Sequence, residues 1–263
     1  MLSSSGPTAG TSFVAPLSMP GVHYTDRQWA AAVRWRLGIR NCGPAAVCKN
    51  LTLKQESCAE ELDPDGDHAV MCGTGPLRNL RHDCLADIYA GIFDEIGAVA
   101  RREVYVPELS RAKEAWLDVW GFGVPELPDA LLDITVRHPR SSRYMPSAAR
   151  AYGHAADEAH EKAKKYLSAN GRRGIAVAHE TWGRLGSSAE HLLSACAGVA
   201  SRRAHRRGRL PGGCLNRWRA QLDAALHRNV AAQLSAAWHG LPGKRPLSLP
   251  PSSRAELEAR CPL

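Results

Sequence analysis

The segment Ala130-Leu-Leu-Asp-Ile-Thr-Val-Arg137 decides the fold that we expect for this chain. Its apolar residues are nearly continuous, which is typical of a strand buried on both faces of a sheet. Pro139 follows closely and ends the strand. One carboxylate, Asp133, interrupts the run, and an ionised side chain in such surroundings requires a partner or a metal. The segment therefore predicts a central strand that carries a chemically important acid.

The flanking segments give the order of the other elements. The pattern of apolar residues predicts further strands at 103–107, 115–120 and 175–179, and helices at 26–38, 78–98, 147–168, 187–207 and 213–238. The core of this order is helix, three strands, helix, strand, helix. It predicts an α/β fold in which helices flank a mixed central sheet.

Composition divides the chain into five regions. Residues 1–25 are small, polar and Pro-bearing, so we expect them to be disordered. We expect a helix and a Cys-rich zinc knuckle in 26–77, the α/β core in 78–207, a C-terminal helical extension in 208–240 and a flexible tail in 241–263. Residues 40–75 show little periodicity, so a metal or a neighbouring element must hold them.

Length and charge limit the classes of protein to consider. The chain has 263 residues, of which 44% are hydrophobic, enough for one sizeable domain with small attachments. We find no apolar run of the roughly 18 residues that a membrane span needs and no signal peptide, so we expect an intracellular protein, nuclear or cytoplasmic. The net charge of +8 favours a polyanionic partner such as DNA, with RNA as a second candidate.

Eight cysteines occur in the chain, and four of them cluster upstream of the core. In a chain of this length without a secretory signal, such a cluster favours metal binding over a disulfide framework. Cys58, His68 and Cys72 are three expected zinc ligands, Cys48 is the preferred fourth, and Cys42 is the reserve. The alternative is a loop of unliganded thiols. The other cysteines are expected to be free thiols: Cys84, Cys196, Cys214 and Cys261.

Asp118 lies in surroundings like those of Asp133, in the middle of a predicted strand between apolar neighbours. If the two strands are adjacent, both carboxylates can hold one divalent cation, Mg²⁺ or Mn²⁺, and activate a water for phosphate chemistry. Glu103 or Glu95 could complete the cluster. The alternative is that each aspartate lies at a sheet edge and faces water.

Lysines of the predicted 147–168 helix are candidates for a catalytic role. Lys162, Lys164 and Lys165 lie together, and one of them could reach the scissile phosphate or orient the attacking water. Salt pairs with Glu158 and Glu161, one helical turn away, explain the same residues without a catalytic role.

Arginines dominate the densest basic stretch, residues 201–209. This stretch could follow a phosphate backbone, and a solvated helix end or a localisation signal explains it equally well. Trp218 lies nearby and adds weak support for base stacking. The candidate nucleic-acid-binding residues here are Arg202, Arg203, Arg206 and Arg207.

Several motifs resemble a known family. The run Leu62-Asp-Pro-Asp-Gly-Asp-His68-Ala-Val-Met-Cys72, followed by Arg81-His82-Asp83, resembles the Cys/His knuckle and Arg-His motif of non-LTR retrotransposons that carry a restriction-enzyme-like endonuclease. The segments Leu-Asp118-Val-Trp and Leu-Leu-Asp133-Ile-Thr-Val resemble the two acidic motifs of that endonuclease. Lys-x-x-Lys165-Tyr166 and Glu180-Thr-Trp-Gly183 resemble its later helix and strand motifs. The likeness covers residues 35–200.

That endonuclease belongs to the PD-(D/E)XK superfamily. The resemblance implies a restriction-endonuclease-like core and a divalent-metal site that cuts DNA, with Asp118 as the first strand acid and Asp133 as the second. The lysine usually found two residues after the second acid is replaced by Thr135. Its role would pass to Lys165, with Lys162 as the second candidate.

The resemblance also bears on the knuckle. Arg81 and His82 could contact the substrate backbone, or they could cap the knuckle onto the first core helix. Related sequences often carry a cysteine two residues before Cys58, where this chain has Glu56. The fourth zinc ligand is therefore left open between Cys48 and Cys42.

Reverse-transcriptase motifs are absent from the sequence. We therefore expect a detached or domesticated retrotransposon endonuclease domain that hydrolyses phosphodiester bonds. One alternative is a catalytically inactive, zinc-containing nucleic-acid-binding protein from the same source, which Thr135 favours. A cellular repair or recombination nuclease on the same core is another alternative.

Overall fold

The computed structural model describes residues 8–16, 18–40, 45–52, 54–109, 114–148, 155–158, 168–169, 172–208 and 212–240. Contacts divide the chain into two compact units. We call the first, Met1–Ala15 with Leu85–Asp223, the sheet unit, and the second, Pro16–Cys84 with Ala224–Leu263, the knuckle unit. The fold is α/β, as the sequence predicts, with a mixed sheet flanked by helices.

The helices are α1 Asp26–Arg36, α2 Asp67–Met71, α3 Leu77–Glu95, α4 Met145–Ala148, α5 Ser187–Arg206 and α6 Cys214–His239. The strands are β1 Val99–Tyr105, β2 Trp116–Phe122, β3 Ala130–Arg137, β4 Ser168–Ala169 and β5 Arg172–Glu180. The boundary between the two units falls inside α3 and again inside α6. Among the described residues, no helix combines the length and the apolar character that a membrane crossing requires.

Strand β3 is central in the sheet, as its apolar run predicts, and its bounds match the predicted ones. The strand order is β1-β2-β3-β5-β4. Strand β2 runs antiparallel to both β1 and β3, whereas β3 and β5 are parallel. Parallel neighbours need a long crossover connection, which the chain between β3 and β5 provides.

Helix α3 covers one face of this sheet. The ring of Phe93 lies against Gly121 of β2, where a Cβ atom would come within 2.6 Å of the ring. The Tyr89 hydroxyl is hydrogen-bonded to Nε2 of His179 on β5 at 3.1 Å. Burial lowers the pKa of His179 to about 3, so this imidazole is neutral. The face of β2 that carries Gly121 is therefore packed, and the opposite face carries Asp118.

The crossover departs from the sequence-based prediction of a helix over 147–168. Residues 145–148 and 155–158 are helical, but Ser168 and Ala169 form strand β4, antiparallel to the start of β5. At Ser168 and Ala169, the hydrogen bonds offered by the edge of β5 outweigh helix propensity.

Strand β1 also differs from its prediction, since it spans Val99–Tyr105 rather than 103–107. Val99, its first residue, pairs with Phe122 of β2. The pairing of β1 with β2 therefore begins four residues after the end of α3 rather than at 103. The ladder ends before Pro107, which has no N–H to donate.

The prediction of a disordered N-terminus is wrong for the described residues that follow Thr8. Thr8 and Ser12 are buried. The buried carboxylate of Asp223 accepts hydrogen bonds from the N–H groups of Gly10 at 3.0 Å and Ser12 at 2.9 Å, and from the Ser12 hydroxyl. The acid needs donors once it is buried, and the small polar residues of this segment supply them.

Candidate metal centres

A short hairpin in the knuckle unit brings two cysteines together. The Cys48 N–H donates to the Glu60 carbonyl and the Cys58 N–H donates to the Asn50 carbonyl, both at 2.8 Å. The Lys49 N–H donates to the Ala237 carbonyl at 2.8 Å, so this hairpin is attached to the second half of α6. That half of the helix is thus part of the knuckle unit rather than a separate extension.

Helix α2 supplies the other two candidate ligands. Gly66 has a φ of 83°, and Asp63 then accepts the N–H groups of Asp67 at 2.9 Å and His68 at 2.6 Å. Burial acts to raise the pKa of Asp63, but these N–H donors outweigh it and hold the pKa below its ordinary value. His68 lies in α2 and Cys72 is its C-cap residue, four positions later and about one helical turn away, so both lie on one side of the helix.

The distances between the four candidate ligand atoms match the edge lengths of a tetrahedral zinc site. The Sγ–Sγ distances are 3.8 Å for Cys48–Cys72 and 3.7 Å for Cys58–Cys72, and Cys58 Sγ lies 3.5 Å from His68 Nε2. Zinc bonds of about 2.3 Å to sulfur and about 2.0 Å to nitrogen give sulfur–sulfur edges of about 3.8 Å and sulfur–nitrogen edges of about 3.5 Å. All four candidate atoms lie within 4.8 Å of one another, so the group could hold a metal ion.

The structure thus places Cys48 as the fourth member of the group. The sequence had left this fourth ligand open. The reserve candidate, Cys42, lies outside the described residues. Burial raises the pKa of the Cys48 thiol to about 12, so at neutral pH this thiol keeps its proton unless a metal replaces it. A hydrogen bond from the Asn50 side chain acts to lower the pKa of the Cys72 thiol.

A second acidic group lies in the same unit. The carboxylates of Asp63, Asp65 and Asp67 also come within 4.8 Å of one another and could bind a metal. All three are half-buried, and Asp63 is already bound to the first turn of α2.

Arg81 lies inside the knuckle unit, 5% exposed. Its Nη1 donates to the Val70 carbonyl at 3.3 Å and to Oε1 of Gln233 at 2.8 Å, and Gln233 donates to the same carbonyl at 3.2 Å. The position matches the alternative in which Arg81 holds the knuckle onto its helix, and a side chain so buried does not reach a nucleic-acid backbone. His82 is hydrogen-bonded to the neighbouring Asp83 at 3.1 Å.

We expect Arg81→Met to weaken zinc binding by about tenfold, the low end of the range found for residues that support metal ligands. Three thiolates and a neutral imidazole around Zn²⁺ carry one excess negative charge. The buried guanidinium, bound to a carbonyl between the two α2 ligands, offsets that charge. A competition titration with a zinc chelator measures the change, and Arg78→Met, which removes an exposed arginine of the same helix, is the control. Equal affinities for the two variants would contradict this expectation.

The other cysteines differ from the expected set of free thiols at one position. Cys84 is part of a disulfide. Cys196 and Cys214 are free, and burial raises the pKa of both, that of Cys196 to about 12, so neither is activated as a thiolate. Cys261 lies outside the described residues.

In the sheet unit, the pairing register brings Asp118 and Asp133 together. The pairs Val119–Leu132 and Trp120–Leu131 define the register of β2 and β3, and one further step places Asp118 opposite Asp133. Directly opposed residues of an antiparallel pair lie on the same face. Both aspartates are therefore on the face opposite α3, where each is half-buried.

The backbone ladder between β2 and β3 stops at this point. The Oδ2 atom of Asp118 accepts a hydrogen bond from the Ile134 N–H at 2.5 Å, in the place of a strand–strand bond. The carboxylate of Asp118 is thereby held against β3 beside Asp133. Two oxygen-donor side chains at one place on a sheet are the kind of ligands that Mg²⁺ or Mn²⁺ prefers.

The candidate third acids do not join this pair. Glu103 is in register with Asp118, but it is exposed, its φ is 51°, and within the described part of the chain no group of three ligand atoms within 4.8 Å includes it. Glu95 is bound to Arg217 and accepts the Trp218 Nε1–H at 2.9 Å.

The crossover helix lies on the same face as the two aspartates. Ala156 packs against Ala178 of β5, and the buried carboxylate of Glu180 accepts the N–H groups of Ala155 at 3.0 Å and Ala156 at 3.4 Å. Thr135 shares the face of Asp133. The candidate lysines of the predicted 147–168 helix lie outside the described residues: Lys162, Lys164 and Lys165.

The basic stretch is partly engaged within the sheet unit. Arg203 donates to the Ile96 carbonyl at the end of α3, and Arg206 forms an ion pair with Glu126 at 3.0 Å. Arg202 and Arg207 are exposed. Trp218 is fully buried, so it does not provide a surface for base stacking.

Comparisons with known proteins add no family to these observations. No family model matches the chain, and no curated protein matches it. The resemblance to retrotransposon endonucleases therefore depends on the sequence motifs.

Proposed function

We propose that this chain is a metal-dependent endonuclease of the PD-(D/E)XK type, derived from a retrotransposon, and that its substrate is DNA. One observation carries the proposal: the register of β2 and β3, continued one step beyond the Val119–Leu132 pair, sets Asp118 opposite Asp133 on a single face of the sheet. Half-buried carboxylates that face each other repel, and a cation held between them stabilises both in the ionised form. A divalent ion resolves that repulsion and supplies the chemistry for phosphodiester hydrolysis.

The side chains have distinct roles in this proposal. Asp118 and Asp133 hold the cation, and the Ile134 N–H fixes the orientation of Asp118. When bound, the cation would activate a water and neutralise charge that develops on the phosphate. Lys165, or else Lys162, orients the water or the phosphate in place of the missing lysine at Thr135. Glu103 is an exposed neighbour of the pair and has no direct part in holding the cation.

The element order supports the same proposal. Helix α3, the strands β1 to β3, the crossover helix, β5 and α5 follow one another around a mixed sheet, as a restriction-endonuclease-like core requires. Fold alone does not define activity, so the acid pair rather than the sheet carries the argument.

The knuckle unit has a structural role in the proposal. Zinc bound by Cys48, Cys58, His68 and Cys72 would close a tetrahedron with no open position, which is typical of structural rather than catalytic sites. The unit would then present a stable surface to nucleic acid.

Nicking of supercoiled plasmid in Mg²⁺ or Mn²⁺ tests the proposal. We expect Asp133→Asn to lower the rate by at least about 100-fold, because metal stabilisation is worth several kcal/mol and each factor of ten corresponds to about 1.4 kcal/mol. The exposed Asp129, just before β3, provides the matched control Asp129→Asn, which should nick like the parent protein. Nicking by Asp133→Asn at the parent rate would rule out the proposed site.

The second candidate function is nucleic-acid binding without catalysis. Thr135, in place of a lysine on the Asp133 face, favours it. The same experiment separates the two, because the parent protein would then bind plasmid in a gel-shift assay and leave it supercoiled.

A further inference from the structure

The outward face of the β1–β2 hairpin carries two exposed aromatic side chains and two half-buried ones. Trp116 is 57% exposed, Tyr105 42% and Val99 50%. The pairing register puts these residues on the same face as Asp118. We call this surface the aromatic face, formed by Val99, Arg101, Glu103 and Tyr105 of β1 and by Trp116, Asp118, Trp120 and Phe122 of β2.

The rings of the aromatic face form two pairs, one on each side of Asp118. The centroids of Tyr105 and Trp116 lie 5.3 Å apart at an interplanar angle of 37°, and those of Trp120 and Phe122 lie 4.3 Å apart at 30°. Residues two apart in a strand are separated by about 6.8 Å. Trp116 and Trp120 are each two residues from Asp118, so one ring of each pair lies about 6.8 Å along β2 from that aspartate.

Packing leaves the Tyr105–Trp116 end of this surface open, whereas Trp120 is partly buried against the adjoining core. Val106 and Leu109 pack against Leu131 and Ala176, on the β3 and β5 side. Trp116 and Tyr105, in contrast, remain exposed to solvent. Large rings left exposed side by side on a sheet indicate a binding surface.

Charge decides what kind of partner suits the surface. Glu103, Asp118 and Asp133 lie in one row across the strands by register, between the two ring pairs. The core of a protein interface is depleted of charged residues, so an apolar protein partner would bury these acids at a high cost. A nucleic-acid strand would not, since its phosphates meet the acids through a shared cation and its bases stack on the rings.

We propose that the aromatic face binds an unpaired nucleic-acid strand next to the acid pair, with bases stacked on Trp116 and Tyr105. The proposal rests on the proposed function, since it uses the cation at Asp118 and Asp133 to pass the phosphates. Arg101, whose Cζ lies 5.7 Å from the centroid of the Phe122 ring, supplies a cation at the far end of the same face. Bases paired in a duplex are already stacked inside it, so the face discriminates in favour of single strands.

Fluorescence anisotropy with a labelled 16-nucleotide single strand and the matching duplex, in Ca²⁺, tests the proposal on the full chain. We expect Trp116→Ala and Tyr105→Ala each to raise the single-strand Kd about tenfold, as the loss of about 1.4 kcal/mol of stacking implies. Duplex affinity should change less than about twofold, because the remaining contacts are to the backbone. Trp116→Phe keeps a ring and should restore most of the affinity. Trp29→Ala, which removes a 42% exposed tryptophan of the knuckle unit, is the control.

The outcomes separate this inference from the proposed function. If both ring variants bind the single strand like the parent protein, the inference is wrong. A loss shared equally by single strand and duplex also overturns it. Plasmid nicking that depends on Asp133, measured in parallel, would leave the endonuclease standing in either case. Absence of nicking with a selective loss of single-strand binding would instead overturn the endonuclease alone.

Discussion

Removal of zinc with a chelator is expected to unfold the hairpin and α2 of the knuckle unit. Structural zinc contributes about 10–16 kcal/mol of binding free energy, as much as the whole stability of a typical domain, about 5–15 kcal/mol. Residues 46–72 make few regular backbone contacts, namely isolated bridges such as Val47–Glu61 and one short helix. Limited proteolysis with and without chelator, followed by mass analysis, should show new cuts confined to this segment.

Serine variants identify the ligands in the same experiment. Cys48→Ser and Cys72→Ser should each bind far less than one equivalent of zinc, because a closed tetrahedral site loses its geometry with any one ligand. Cys214→Ser, which changes a half-buried free thiol of the sheet unit, should keep the full equivalent. Full zinc in Cys48→Ser would show that the fourth ligand lies elsewhere, and Cys42 would then be the next to test.

A double substitution of the acid pair is expected to cost no more activity than either single one. Asp118→Asn and Asp133→Asn should each reduce plasmid nicking by at least about 100-fold, since both act through one cation. The effects of residues that act as a unit are strongly non-additive. The double variant should therefore nick at the rate of the slower single variant.

The amide at position 118 keeps the fold intact in this experiment. Its side-chain oxygen still accepts the Ile134 N–H that Asp118 accepts at 2.5 Å, so only the charge is lost. Thermal melting of the three variants should stay close to that of the parent protein. Multiplying losses in the double variant would mean that the two aspartates act at separate sites, which would contradict the proposed shared cation.

Local patterns in the sequence predicted most of the elements around the site. The nearly continuous apolar run of β3 matched the strand residue for residue, and helices α3, α5 and α6 were placed within a few residues of their ends. Such elements depend on the spacing of apolar residues, which is a property of the neighbouring sequence. The spacing of Cys58, His68 and Cys72 likewise predicted a metal group that the structure assembles.

Predictions that depended on distant neighbours were weaker. Trp218 and Arg81 were candidates for contact with nucleic acid, yet both are buried, one against Glu95 and the other under Gln233. Nothing in the surrounding sequence of either residue reveals a partner more than 100 positions away. Sequence reasoning also missed the aromatic face, although the alternation in β1 and β2 was the signal that could have indicated it.

The sequence by itself determined that this chain forms a mixed α/β sheet with two acid-bearing strands and that a Cys/His group lies ahead of it. The tertiary structure alone decided that Asp118 stands opposite Asp133, that Cys48 completes the Cys/His group, and which face of the hairpin stays open. The physical reason is that periodicity specifies which residues share a face, whereas register and burial depend on contacts between segments far apart in the chain.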